Sequence, residues 1–311
     1  MTRSTLTVAA ALALLTLASA VETRAQPAPP PAAPAAPAVT TSTIGANLNI
    51  SPKRVTFDRN RRTATVYIYN QGGAPATFDI ALVDRAMLPD GQIVTVEDAQ
   101  KEAAQKPVAD KVMSAQSMLA ISPRRANLAP GKGQTIRLRV SGGDATVKGE
   151  FRTHLTITTI PPPDTGLTAE QAASTAPDEL RFQINSVFGV SIPAIVRLGD
   201  IDVRAGIENM RIEYANVSLD GVAPAKRTAI VAFDLVRVGT NSLFGNIDIR
   251  AAGRRGEPLG IARGVGVYTE IGRRTLRMPL NRAPGSGEKL EITFSDDDTS
   301  PGKVLAKFTQ P

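Results

Sequence analysis

The stretch LRFQINSVFGVSIPAIVR, Leu180 to Arg197, decides the reading of this chain. Its even positions, Leu180, Phe182, Ile184, Ser186, Phe188, Val190 and Ile192, are apolar but for one serine, while Arg181, Gln183, Asn185 and Ser191 hold most of the odd ones. A period of two places the apolar set on one face of a strand and the polar set on the other. At about 3.3 Å per residue the alternation runs roughly 40 Å, about twice the length of an ordinary sandwich strand. An apolar edge of that length is an aggregation hazard unless a partner covers it. Covering it by β-augmentation would use both its backbone groups and its alternate side chains.

The same alternation, bounded by Pro, Gly, Asn and Asp, recurs on both sides of this stretch. Before it come RTATVYIYN, TFDIALVD, GQTIRLRVSG and FRTHLTITTIPPP. After a junction at Asp200 to Arg204 come ENMRIEYAN, RTAIVAFDLVRVG, LFGNIDIRAAG, GVGVYTE, RTLRMPL, EKLEITFSD and KVLAKFTQ. The one helical candidate, VEDAQKEAAQKPVADKVMSAQ, is interrupted by Pro107 and reads as a long loop or a short helix inserted between strands. No strand is followed by a regular amphipathic helix. The chain is therefore expected to be all-β, with two successive antiparallel β-sandwich domains at 44–199 and 200–311 rather than a barrel or an α/β plan.

The N-terminal MTRSTLTVAAALALLTLASA joins a positive Arg3, an apolar run from Leu6 to Leu17 and an Ala18-Ser19-Ala20 cleavage site, so residues 1–20 read as a secretory signal peptide. Residues 21–43, rich in Ala and Pro, cannot build a core and read as a spacer. No later stretch is apolar for long enough to span a membrane, so no membrane insertion is expected. The absence of cysteine excludes a lipoprotein anchor, a disulfide framework and thiolate metal sites. A formal charge of +7 could suit an anionic partner. The arginines, however, are spread through strands such as TIRLRV and Trp is absent, so the charge reads as a solvated surface and nucleic acid is not an expected partner.

Catalytic chemistry is nearly absent. The single histidine, His154, lies inside a strand with no cysteine or second histidine to complete a metal cluster, and it reads as a surface or packing residue. Gly264-Val265-Gly266 lacks the following helix and Lys-Ser pair of a phosphate loop. Asp296-Asp297-Asp298 lacks the spaced ligands and terminal Glu of a calcium loop and reads as a turn. No GxSxG elbow accompanies the serines. The expectation is a non-enzymatic protein with no cofactor and no metal.

The order of motifs in the first domain resembles the periplasmic pilus chaperones of the PapD-like superfamily, which serve chaperone-usher pathways. ISPKRVTFD is similar to the family's first strand, and TVYIYNQGGAPATFDI to its second and third strands with the Asn and polar turn between them. ISPRRANLAPGKGQTIRLRV resembles its Pro, Pro-Gly, Arg-rich segment, and GEFRTHLTITTIPPP its Glu-containing strand. The opening stretch matches the seventh strand, which the family lends to incomplete pilus subunits in donor-strand complementation. The resemblance covers about 150 residues, Leu48 to Leu198. Over the second domain it is limited to size, strand content and position.

The resemblance implies two immunoglobulin-like sandwiches in an L-shaped arrangement and a periplasmic location. It implies pilus or fimbrial subunits and an outer-membrane usher as partners, with self-capping as a dimer one way for the free chain to cover its edge. The donated side chains would be Ile184, Ser186, Phe188 and Val190, with Phe182 at the outer end. Arg54 matches one half of the basic pair that grips the subunit's terminal carboxylate. The lysine of that pair falls on Pro193, a departure closer to the non-classical branches. Glu150, Arg197 and Asp297 resemble the family's Glu-Arg-Asp bridge between domains. The runner-up is a secreted structural or adhesive β-sandwich that pairs through the same edge. A carbohydrate-active β-sandwich enzyme is a third reading, for which no catalytic pair is present.

Overall fold

The computed structural model describes residues 47–142, 147–161, 187–218, 222, 224–253 and 256–310. The signal peptide, the spacer, and Phe182, Ile184 and Ser186 lie outside the described residues.

Two β-sandwiches follow one another. The first is built from β1 (Leu48–Ser51), β2 (Val55–Phe57), β3 (Thr63–Asn70), β4 (Ala76–Val83), β5 (Arg85–Met87), β6 (Ile93–Thr95), β7 (Leu119–Ser122), β8 (Arg125–Leu128), β9 (Gly133–Val140), β10 (Gly149–Ile160) and β11 (Gly189–Leu198). Its two sheets run β1-β3-β9-β7 and β2-β11-β10-β4-β8, and β5 and β6 form a separate ribbon. Alternate residues of both sheets, among them Phe57, Val66, Ile68, Phe78, Ile136 and Leu155, meet in one apolar core. Asn70 fixes the first hairpin. It is fully buried, its Nδ2 donates to the carbonyls of Ala74 and Leu128, and its Oδ1 accepts from Gly72 N–H, which satisfies the polar turn the sequence places there.

The second sandwich holds β12 (Ala205–Val217), β13 (Lys226–Arg237), β14 (Leu243–Ala251), β15 (Gly260–Val267), β16 (Arg273–Pro279), β17 (Leu290–Asp296) and β18 (Val304–Thr309). Its sheets are β12-β13-β16 and β15-β14-β17-β18, closed around a core that includes Phe233, Leu235, Ile247, Val267, Ile292 and Phe294.

The segment between β4 and β7 contains two short helices, α1 (Val96–Lys101) and α2 (Lys106–Ala109). Thr95 caps the first by accepting from Asp98 N–H at 3.0 Å, and Pro107 enters the second near its start, where a missing N–H costs nothing. This insertion straps the sandwiches together. Met87 belongs to the second core, Val108 packs against that core, and Thr275 N–H donates to Pro89 O.

Candidate functional site

β11 carries both halves of the candidate site. It pairs antiparallel with β10 from Gly189 to Leu198, but β2 lies along its other side only at Ala194–Val196. Among the described residues, the backbone edge from Gly189 to Pro193 therefore has no neighbouring strand. The even face of β11 begins inside the first core and then leaves it. Ile192 is 3% exposed, Val190 is half-buried against the same core, and Phe188 is 47% exposed. Thr159 holds Phe188 in line: Phe188 N–H donates to Thr159 Oγ1 and Thr159 N–H donates to Phe188 O, both at 2.8 Å. Val190, expected among the donated side chains, packs on its own sandwich because the sheet still covers it at that point. Phe188 is the described member of the set that faces solvent.

The odd face of β11 at Ile195 and Arg197, and the polar face of β10, are buried too, which alternation alone does not predict. Ile195 enters the second core, and Glu150, Arg152, His154 and Arg197 are each nearly inaccessible. Two ion networks answer this burial. In the first, Arg197 Nε donates to Glu150 Oε2 at 2.9 Å, and Arg197 Nη2 meets Asp298 Oδ2 at 2.8 Å. Glu150 Oε2 also accepts from Ser242 N–H at 3.1 Å. Burial alone would push the Glu150 carboxyl up; Arg197 and the Ser242 donors outweigh it and hold the group below the usual carboxylate value. Arg197 is disfavoured by burial but held above its ordinary value by Glu150 and Asp298. Burial likewise pushes the Asp298 carboxyl up, but Arg54, Arg197 and the Thr56 hydroxyl together hold it below its ordinary value.

The third member of this network is Asp298 and not Asp297. The turn after β17 winds around the buried Asp296, whose carboxylate accepts from the N–H groups of Asp298 and Ser300. That winding turns Asp298 inward and leaves Asp297 exposed, its N–H donating to Phe244 O.

Arg54 stands just before β2, level with the point where the open edge of β11 begins. Its side chain is only 9% exposed. Nη2 reaches Asp298 Oδ2 at 3.3 Å, while the buried Nε and Nη1 have no acceptor among the described residues. The guanidinium lies 4.6 Å from the ring centroid of Phe244. Pro193, at the position of the missing lysine, pairs in register with His154.

The second network has no counterpart in the sequence expectations. Arg152 grips Glu270 with two bonds, Nη2 to Oε1 at 2.6 Å and Nη1 to Oε2 at 2.9 Å, and Glu270 Oε1 also accepts from Met87 N–H. Arg152 lies 3.8 Å from the Tyr268 ring centroid, and His154 meets the same ring edge-on at 6.4 Å. Burial first, then Arg152, Arg85 and Arg54, bring His154 from 6.5 down to about 3. The signal available in the sequence was the trio Glu150, Arg152 and His154 at alternate positions, three titratable groups on one strand face. Nothing local marks Glu270, which lies in a loop 118 residues from its partner.

No family model matches the chain, and no curated protein does. Among solved structures, it is similar to one of the Salmonella enterica SafA pilin in complex with the SafB chaperone, at 13% identity and a TM-score of 0.43, covering 88% of this chain and 99% of the matched one. A second is the E. coli chaperone DraB, at 12% identity and 0.41, covering 87% and 99%. A third is the CsuC-CsuE chaperone-tip adhesion subunit pre-assembly complex of Acinetobacter baumannii, at 13% and 0.40, covering 85% and 98%.

Proposed function

We propose that this chain is a periplasmic, non-enzymatic chaperone that binds and caps pilus or fimbrial subunits by lending them a strand, and delivers them to an outer-membrane usher. The observation that carries the reading is the course of β11: its apolar face runs out of its own core toward Phe188 beside a backbone edge with no neighbouring strand among the described residues. Phe182, Ile184 and Ser186 would continue that face along the partner. Arg54, at the foot of the open edge with Nε and Nη1 unpartnered among the described residues, supports a place for the subunit's terminal carboxylate. Glu150, Arg197 and Asp298 would hold the two sandwiches at the angle that keeps Arg54 beside β11.

The test is co-expression with a tagged fimbrial subunit encoded beside this chain. The parent should co-purify with the subunit, and Phe188→Asp should lose it while keeping the parent's circular dichroism and melting behaviour. Failure of the parent to retain any subunit, or equal retention by Phe188→Asp, would overturn the reading.

A further inference from the structure

We infer that the outer face of the β1-β3-β9-β7 sheet is a docking surface for the phosphate groups of an anionic membrane. The segment TIRLRV puts Arg137 and Arg139 on the same exposed face of β9, about 7 Å apart by strand geometry. Their cross-strand neighbours are small: Thr65 and Ser122 flank Arg137, and Thr63 and Ala120 flank Arg139. Arg62, at the entry to β3, reaches the same end of the sheet, where Nη2 donates to Val140 O. None of the four strands contains an Asp or Glu.

The second sandwich shows what is missing. There most of the exposed strand cations meet carboxylates of their own sheet: Arg273 with Glu208 and Asp234, Arg277 with Glu213, Arg263 with Asp248, and Lys307 with Glu291, while Arg227 lies over the Tyr214 ring. On the first sandwich, no described carboxylate pairs with Arg137 or Arg139, so two like charges stand side by side uncompensated.

The chemistry of the face selects the occupant. Guanidinium groups set among threonine and serine hydroxyls match phosphate oxygens, which take bidentate Arg and hydroxyl donors together. The face lacks the apolar centre that a tight protein interface is built on. Among the described residues its one exposed large hydrophobic side chain, Tyr67, lies one step along the sheet toward β1, and tyrosine suits the headgroup level of a bilayer. The contact is peripheral and electrostatic, with no insertion.

The experiment is sedimentation of the purified chain with vesicles of phosphatidylglycerol and phosphatidylcholine in equal parts, against phosphatidylcholine alone. Each arginine near an anionic surface contributes about fivefold in affinity, so Arg137→Gln/Arg139→Gln should bind about 30-fold more weakly. Arg137→Lys/Arg139→Lys should retain most of the binding. Arg211→Gln/Arg277→Gln, with the same change in net charge on the other sandwich, should bind as the parent does. Raising salt from about 0.05 M to about 0.5 M should abolish the difference between parent and double variant. The inference is overturned if the parent binds both vesicles alike, if the Gln pair binds as the parent does, or if the arginines govern binding to polyglutamate but not to vesicles.

Discussion

Replacing His154 by Gln should flatten the acid side of the stability profile. The unfolded imidazole takes up its proton near 6.5, whereas the folded one, buried against Tyr268 with Arg152, Arg85 and Arg54 nearby, does so only at about 3. Between those values the unfolded state binds one more proton than the native state, so stability falls as the pH falls, by about 1.4 kcal/mol per unit. Carried from about pH 7 to about pH 4.5, the His154 contribution amounts to about 2.5 kcal/mol. Glutamine does not titrate and leaves the carboxylate contributions in place. Urea unfolding of parent and His154→Gln across this range should therefore show the parent's free energy dropping relative to the variant by about 2.5 kcal/mol, with most of the change below pH 6.5. Parallel profiles would mean that the folded imidazole titrates as it does in the unfolded chain. The packing of β10 against the second sandwich would then be wrong.

Arg152→Ala should destabilise the chain by roughly 3 to 5 kcal/mol in urea unfolding, because it strands the buried Glu270 carboxylate; Arg152→Met/Glu270→Met should recover most of that loss. Asp297→Asn should stay within about 0.5 kcal/mol of the parent, whereas Asp298→Asn should cost clearly more. Since the folded Asp298 titrates below its usual 3.8, that extra cost should be full above pH 4 and fade as the pH drops further. Arg54→Ala should weaken subunit capture more than Arg59→Ala or Arg61→Ala at matched expression. Amidation of the subunit's last residue should remove that difference, and an unchanged ranking would leave strand lending without a carboxylate anchor.

The alternation of apolar residues determined the strands, the all-β class and the division into two sandwiches, because which residues share a strand face is a local property. RTATVYIYN and GQTIRLRV each show one apolar face, and each buries that face. Alternation also placed Ile192 and Phe188 on one face, though not the point at which the core stops covering it. What lies against the polar face of a strand is a tertiary matter. β10 was legible as an alternating strand, yet Glu150, Arg152 and His154 are buried because the second sandwich closes over them; Glu150 already stands opposite Arg197 in the β10–β11 register, whereas Arg152 meets Glu270, and Arg197 meets Asp298, only through that closure. The turn at Asp296 likewise exchanged Asp297 for Asp298: three identical side chains carry no sequence signal to separate them, and only the winding of the backbone decides which one points inward.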